Sequence, residues 1–137
     1  MTAALALITL ILNGLVGVFL FVRWRARAAG GLPPLVYVHI VTALVSLALW
    51  VAYLVGGRPA LLAWAVFALL TLANALGDTL LVRGWRARHS APPGTLIRQY
   101  ARAAREVLSG KRPAPMIHAI LAPVVYFSVL LAALGVG

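Results

Sequence analysis

Four stretches of the chain, Ala3–Val22, Leu35–Val55, Ala60–Val82 and Met116–Leu134, are each about as long as the roughly 20 apolar residues that carry a helix across a bilayer. Between them they leave almost nothing for an extramembrane domain. With 64% of its 137 residues hydrophobic and only 10% charged, the chain has too few polar groups to cover a soluble globule. The expected fold is all-α, an integral membrane four-helix bundle running up-down-up-down in a single domain.

The formal charge of +10 is distributed unevenly. Of the 12 Lys and Arg residues, all but Arg58 lie in the links joining spans 1 to 2 and 3 to 4. Basic residues in short loops stay in the cytoplasm. The expected topology therefore has both termini outside a bacterial inner (cytoplasmic) membrane and both basic links inside. The charge reports contact with anionic headgroups, not binding to nucleic acid. The first span has its arginines after the apolar run, the reverse of a cleaved signal peptide. No cysteine is present, which removes thiolate ligands, iron–sulfur clusters and covalently attached haem.

The sequence also repeats itself. "NGLVGVFLFVRWRAR" from Asn13 aligns without gaps on "NALGDTLLVRGWRAR" from Asn74, 61 positions on. Pro34, His39, Ala43, Val45 and Gly56 then fall on Pro113, His118, Ala122, Val124 and Gly135, 79 positions on. The chain reads as two tandem, pseudo-symmetric helical hairpins, 1–57 and 58–137, of the same topology. Their pseudo-two-fold axis runs along the membrane normal, and counterpart helices occupy the diagonals of the bundle. The difference of 18 residues falls in the second basic link. There Pro92, Pro93 and Gly94 open a turn, Thr95 can cap a helix, and Gly110 with Pro113 closes it. Residues 95–109 form a basic amphipathic segment expected to lie on the headgroups, with Arg98, Arg102 and Arg105 opposite an apolar face.

Few residues inside the spans can ionise, and such residues default to function. His39, His118 and Asp78 all fall roughly 7–9 Å inside the basic boundary at about 1.5 Å per residue. Asn13 and Asn74, nearer the midplane, suit hydrogen bonds between helices, a structural role. Asp78 has no duplicate, since Gly17 takes its place at the 61-residue offset. The duplication sets His39 and His118 at matched depth on diagonal helices. Two imidazoles on opposite sides of a flat macrocycle would ligate haem b, with Cα atoms roughly 12–13 Å apart on metal–nitrogen bonds of about 2 Å. Ala43, Ala122, Gly14, Gly17 and Gly77 would line the pocket; Arg23, Arg83 and Arg86 would meet the propionates. An alternative gathers His39, His118 and Asp78 around a metal ion or on a proton path. His89 reads as a solvated loop residue. Trp24 and Trp85 on one side, and Tyr53 and Trp64 on the other, suit the interfaces. Pro123 interrupts the last span. No hydrolase, kinase or phosphate-loop motif is present.

The paired "HIVTALVSLALW" and "HAILAPVVYFSVLLAALG" resemble small four-span membrane proteins of unassigned function from high-GC bacteria. The layout is also similar to four-helix, bis-histidine b-type cytochromes such as cytochrome b561, which carry two histidine pairs where this chain has one. The resemblance implies electron transfer with a quinone or a partner subunit. The competing expectations are a cofactor-free accessory or scaffold subunit and a small metal or proton transporter; a homo-oligomer or a larger membrane complex fits any of them.

Overall fold

The computed structural model describes residues 2–27, 31, 33–90 and 94–136. Five helices follow one another: α1 (Thr2–Arg25), α2 (Pro34–Val55), α3 (Ala60–Arg88), α4 (Leu96–Leu108) and α5 (Pro113–Ala133). Four of them, all but α4, are long and apolar enough to cross a membrane. Pro34 and Pro113 each open their helix at a first-turn position where a missing N–H costs nothing. α2 and α5 end alike. Gly57 and Gly135 take positive φ, and the Arg58 and Val136 N–H groups donate back to the Tyr53 and Leu131 carbonyls, each at 2.9 Å. The counterpart of Gly135 at this end is thus Gly57, not the Gly56 that the 79-residue offset aligns with it. Pro123 lies inside α5 without ending it and deprives the Ala119 carbonyl of its helical partner.

The bundle is built from two close pairs, α1 with α5 and α2 with α3. The seams α1–α2 and α3–α5 are less extensive, and among the described residues the backbones of the diagonal pairs α1–α3 and α2–α5 do not approach closely. Under the pseudo-two-fold each close pair maps onto the other. The Thr2 hydroxyl donates to the Val136 carbonyl at 2.8 Å, holding the two chain ends together.

Packing is uneven along the axis. At the end carrying the termini, Ala3, Ala6 and Leu10 of α1 meet Trp50 and Tyr53 of α2, Val66 and Leu70 of α3, and Val125 and Val129 of α5 in one buried cluster. Ala3 and Ala6 are small enough to let Trp50 lie flat against α1, where its indole N–H donates to the Ala3 carbonyl at 3.2 Å. Tyr53 stacks on Trp50, ring centres 4.5 Å apart, so it belongs to this core and not to the interface. The hydroxyls of Thr9, Thr42, Ser46 and Ser128 return to carbonyls of their own helices, leaving dispersion to hold the helices together. Toward the basic end the two pairs part.

The burial pattern sets the register of the duplication. Ala3 and Ala63, Ala6 and Val66, and Leu10 and Leu70 are matched buried positions 60 apart, and the same spacing relates Gly17 to Gly77, both half-buried, and Arg23 to Arg83, both exposed. The 61-residue offset holds only from Trp24 and Trp85 onward, because Gly84 is one extra residue within α3. Asn13 is therefore the counterpart of Ala73, and Asp78 that of Val18.

Helix α4 docks on the basic ends of α3 and α5 through Gln99, Ala103 and Val107, spaced four apart on one face. Thr95 caps it, accepting from the Arg98 N–H. The Arg86 guanidinium donates to the Gln99 carboxamide oxygen, and Arg88 pairs with Glu106 at 3.0 Å. His89 closes α3, stacks on the buried Trp85 with ring centres 4.8 Å apart, and stands 3.5 Å from Glu106. His89 is exposed in the turn that ends α3, as expected of a loop residue, whereas Trp85, expected at the interface, is buried. The segment of expected headgroup contact thus lays its inner face on protein; the turn expected at Pro92 and Pro93 lies outside the described residues.

Candidate functional site

Where the pairs part, a cavity of about 1460 Å³ opens between them, above the size of most small-molecule pockets. His39 enters it from the α2–α3 pair and His118 from the α5–α1 pair. The ring centres are 6.3 Å apart and the planes meet at 73°.

Each ring is oriented by the helix beside it. His39 Nδ1 lies 3.0 Å from the Ala73 carbonyl, and His118 Nδ1 3.2 Å from the Asn13 carbonyl. A carbonyl can only accept, so Nδ1 carries the proton in both rings and Nε2 of the neutral ring keeps its lone pair. One turn along, Gly77 and Gly17 give the rings room. A Cβ at Gly77 would stand 3.4 Å from His39 Cε1, and one at Gly17 would stand 3.4 Å from His118 Cε1. The clamp is the same twice over, a carbonyl at position i and a glycine at i+4. An Nδ1–H held by a carbonyl is the arrangement that fixes histidine as a metal ligand through Nε2.

Ala43, Ala122 and Gly14 line the cavity as expected, with open space where a Gly14 side chain would stand. Asn13 contributes its main chain to the clamp. Its carboxamide oxygen is buried without a partner, while Asn74 lines the cavity on α3. Neither side chain bridges helices among the described residues; bonds between spans come instead from His39, His118 and Trp50 and from the Thr71 hydroxyl, which donates to the Tyr126 hydroxyl at 3.2 Å. Asn13 and Asn74 differ because the true register sets Asn74 opposite Gly14.

Of the arginines expected at the rim, only Arg23 lines this cavity, its guanidinium over the Phe19 ring at 5.4 Å. The other cations at the mouth are Arg27 and Arg88, which are counterparts in the repeated basic phrase, and Lys111 and Arg112, which lie outside it; sequence reasoning passed over all four. Burial, followed by the nearby Arg88 guanidinium, pushes Arg112 below the usual arginine range, with Arg27 acting in the same direction and Glu106 against it. Cations crowded at one mouth favour an anionic group between them. Arg83 and Arg86 instead line an adjoining cleft against α4, and Asp78 and Tyr100 border both that cleft and the cavity.

Asp78 lines the same cavity as the histidines without gathering with them into a metal-binding group. The Tyr100 hydroxyl of α4 donates to its carboxylate, and among the described residues no three His, Asp or Glu side chains gather as a metal site would require. No protein-family model, curated protein or solved structure matches this chain.

Proposed function

We propose that the chain is a membrane-embedded b-type cytochrome, or a haem-binding electron-transfer subunit, with one haem held by His39 and His118. The observation that carries this reading is the pair of matched clamps facing each other at 6.3 Å across an open slot. Trans ligation needs two metal–nitrogen bonds of about 2 Å. It also needs about 1.1 Å from each nitrogen to the centre of a five-membered ring with bonds near 1.35 Å. Together these come to about 6.2 Å between ring centres, close to the 6.3 Å found.

The bound group supplies a one-electron iron couple. The chain's residues do the rest. The carbonyls of Ala73 and Asn13 hold the tautomer, Gly17 and Gly77 seat the rings, and the terminal-end cluster keeps water from one end. Arg23, Arg27, Arg88, Lys111 and Arg112 neutralise carboxylates at the basic mouth. A cavity of this size favours a ligand over the scaffold reading, which calls for close helix contact at this level. The positive-inside pattern puts this mouth in the cytoplasm of a bacterial cell and both termini outside the inner membrane. Electrons would pass to or from a quinone or a partner subunit.

Absorption of the purified protein tests the proposal. A Soret band that shifts on dithionite reduction and is lost in both His39→Ala and His118→Ala is expected. A colourless, folded preparation from haem-replete cells would refute it.

A further inference from the structure

The cleft between α3 and α4 is a second site, of about 540 Å³. Its polar lining is largely self-satisfied. Asp78 takes the Tyr100 hydroxyl, and Thr79 donates to the Ala75 carbonyl at 2.8 Å. The guanidiniums remain. Arg86 uses only Nε on Gln99, and Arg83 makes no hydrogen bond or ion pair to a described residue.

The single-residue insertion puts these two cations on one face. In the first repeat Arg23 and Arg25 are two apart and diverge around α1; Gly84 moves the second arginine to position 86, three from Arg83, so both point the same way. The same stripe of α3, followed inward, reads Arg86, Arg83, Thr79, Leu76, Leu72, passing from charge to hydroxyl to hydrocarbon. Leu96 and Ile97 of α4, 64% and 82% exposed, flank the mouth with apolar surface.

We propose that this cleft binds one anionic phospholipid, its phosphate on Arg83 and Arg86 and an acyl chain along Leu76 and Leu72. The order of chemistry with depth is that of the lipid itself: phosphate at the boundary, ester about one turn further in, chain beyond. Among the described residues the first repeat shows no counterpart of this cleft: Arg23 rests on Phe19, and no helix corresponding to α4 is found there. The site is independent of the haem reading.

Native mass spectrometry of the protein released from mixed phosphatidylglycerol and phosphatidylcholine nanodiscs tests it. The wild type should retain one phosphatidylglycerol in preference, and Arg83→Gln should lower that preference about tenfold, the scale of one charge-assisted hydrogen bond. Arg83→Gln leaves the Arg86–Gln99 bond and hence α4 in place, and Arg25→Gln, of equal charge, should leave the preference unchanged. Equal loss in Arg25→Gln would reduce the effect to diffuse charge and overturn the site. So would an unchanged Arg83→Gln, or displacement of the lipid by excess inorganic phosphate.

Discussion

Gly17 and Gly77 allow the clamp geometry to be tested by size alone. At either position the Cβ of alanine would stand 3.4 Å from a histidine Cε1 and 3.9 Å from its Nδ1, which is ordinary contact. Gly17→Ala and Gly77→Ala should therefore be tolerated, and should gain about 0.5–1 kcal/mol from the lower entropy cost of a helical alanine. Valine reverses the sign. Its side chain has essentially one χ1 in a helix and cannot turn both γ carbons away from a ring already in contact with Cβ. Overpacking costs about 1–3 kcal/mol, and swinging the ring off its carbonyl adds about 1 kcal/mol. Gly17→Val and Gly77→Val should lose about 2–4 kcal/mol on that sum and release Nδ1 of His118 and His39 respectively. Unfolding in detergent micelles followed by circular dichroism gives the stabilities, and 15N spectra of labelled histidine report the Nδ1 proton. The two positions should respond alike, because the contact distances are the same. An alanine as damaging as valine, or series at Gly17 and Gly77 that part by more than about 1 kcal/mol, would refute the matched clamps.

Two further outcomes follow from other parts of the bundle. Trp50 is fully buried and bonded to Ala3, so Trp50→Phe should lose about 1–3 kcal/mol of unfolding stability, through one hydrogen bond and the space left behind. Burial first, then the charge and hydrogen bond of Asp78, raise Tyr100 above the usual tyrosine value. A raised acid group binds its proton more tightly in the folded chain. The stability it gives is whole below about pH 10, the unfolded value, and is lost as pH climbs through the folded one. Ultraviolet titration should show a late tyrosine that moves back toward about 10 in Asp78→Asn.

Much of this architecture is legible in the sequence, and the parts that are not have definite causes. The spans are set by apolar length, and the ends of α2 and α5 by Pro34 and Pro113, features that neighbours cannot override. The pairing of His39 with His118 follows from a repeat offset that the structure keeps. The offset for α1 and α3 is harder. The basic phrase after the spans makes the strongest visible match, yet it lies beyond the inserted Gly84, so reading inward from it misplaces every interior counterpart by one residue. That error paired Asn13 with Asn74 and hid the pairing of Gly17 with Gly77. Helix α4 shows a different limit: periodicity identifies a face to be covered, but lipid and protein cover it equally well. The face of Gln99, Ala103 and Val107 meets α3 and α5. Arg83 and Arg86 were placed at the histidine cavity by depth, a coordinate that does not say on which side of a helix a residue lies.

The duplication also explains why so small a chain can build a symmetric site at all. Each histidine is held by the other repeat: His39 of the first hairpin bonds the Ala73 carbonyl of the second, and His118 of the second bonds the Asn13 carbonyl of the first. The close pairs α1–α5 and α2–α3 likewise each take one helix from each hairpin. This is the logic of an isologous interface, in which a patch meets its own copy across a two-fold axis and every contact is made twice. A hairpin alone would leave its histidine without the carbonyl that sets the tautomer and without the glycine that seats the ring. Features on the axis are therefore shared by both repeats, as the histidine slot is. Features off the axis are free to differ, and the departures of the second repeat, Asp78, Gly84 and α4, gather on one flank, where Tyr100 touches Asp78 and Gly84 turns Arg86 toward the cleft. Symmetry would confine a ligand of the slot to a group that can be gripped identically from both faces, and it leaves that flank as the place where the two halves can acquire different tasks.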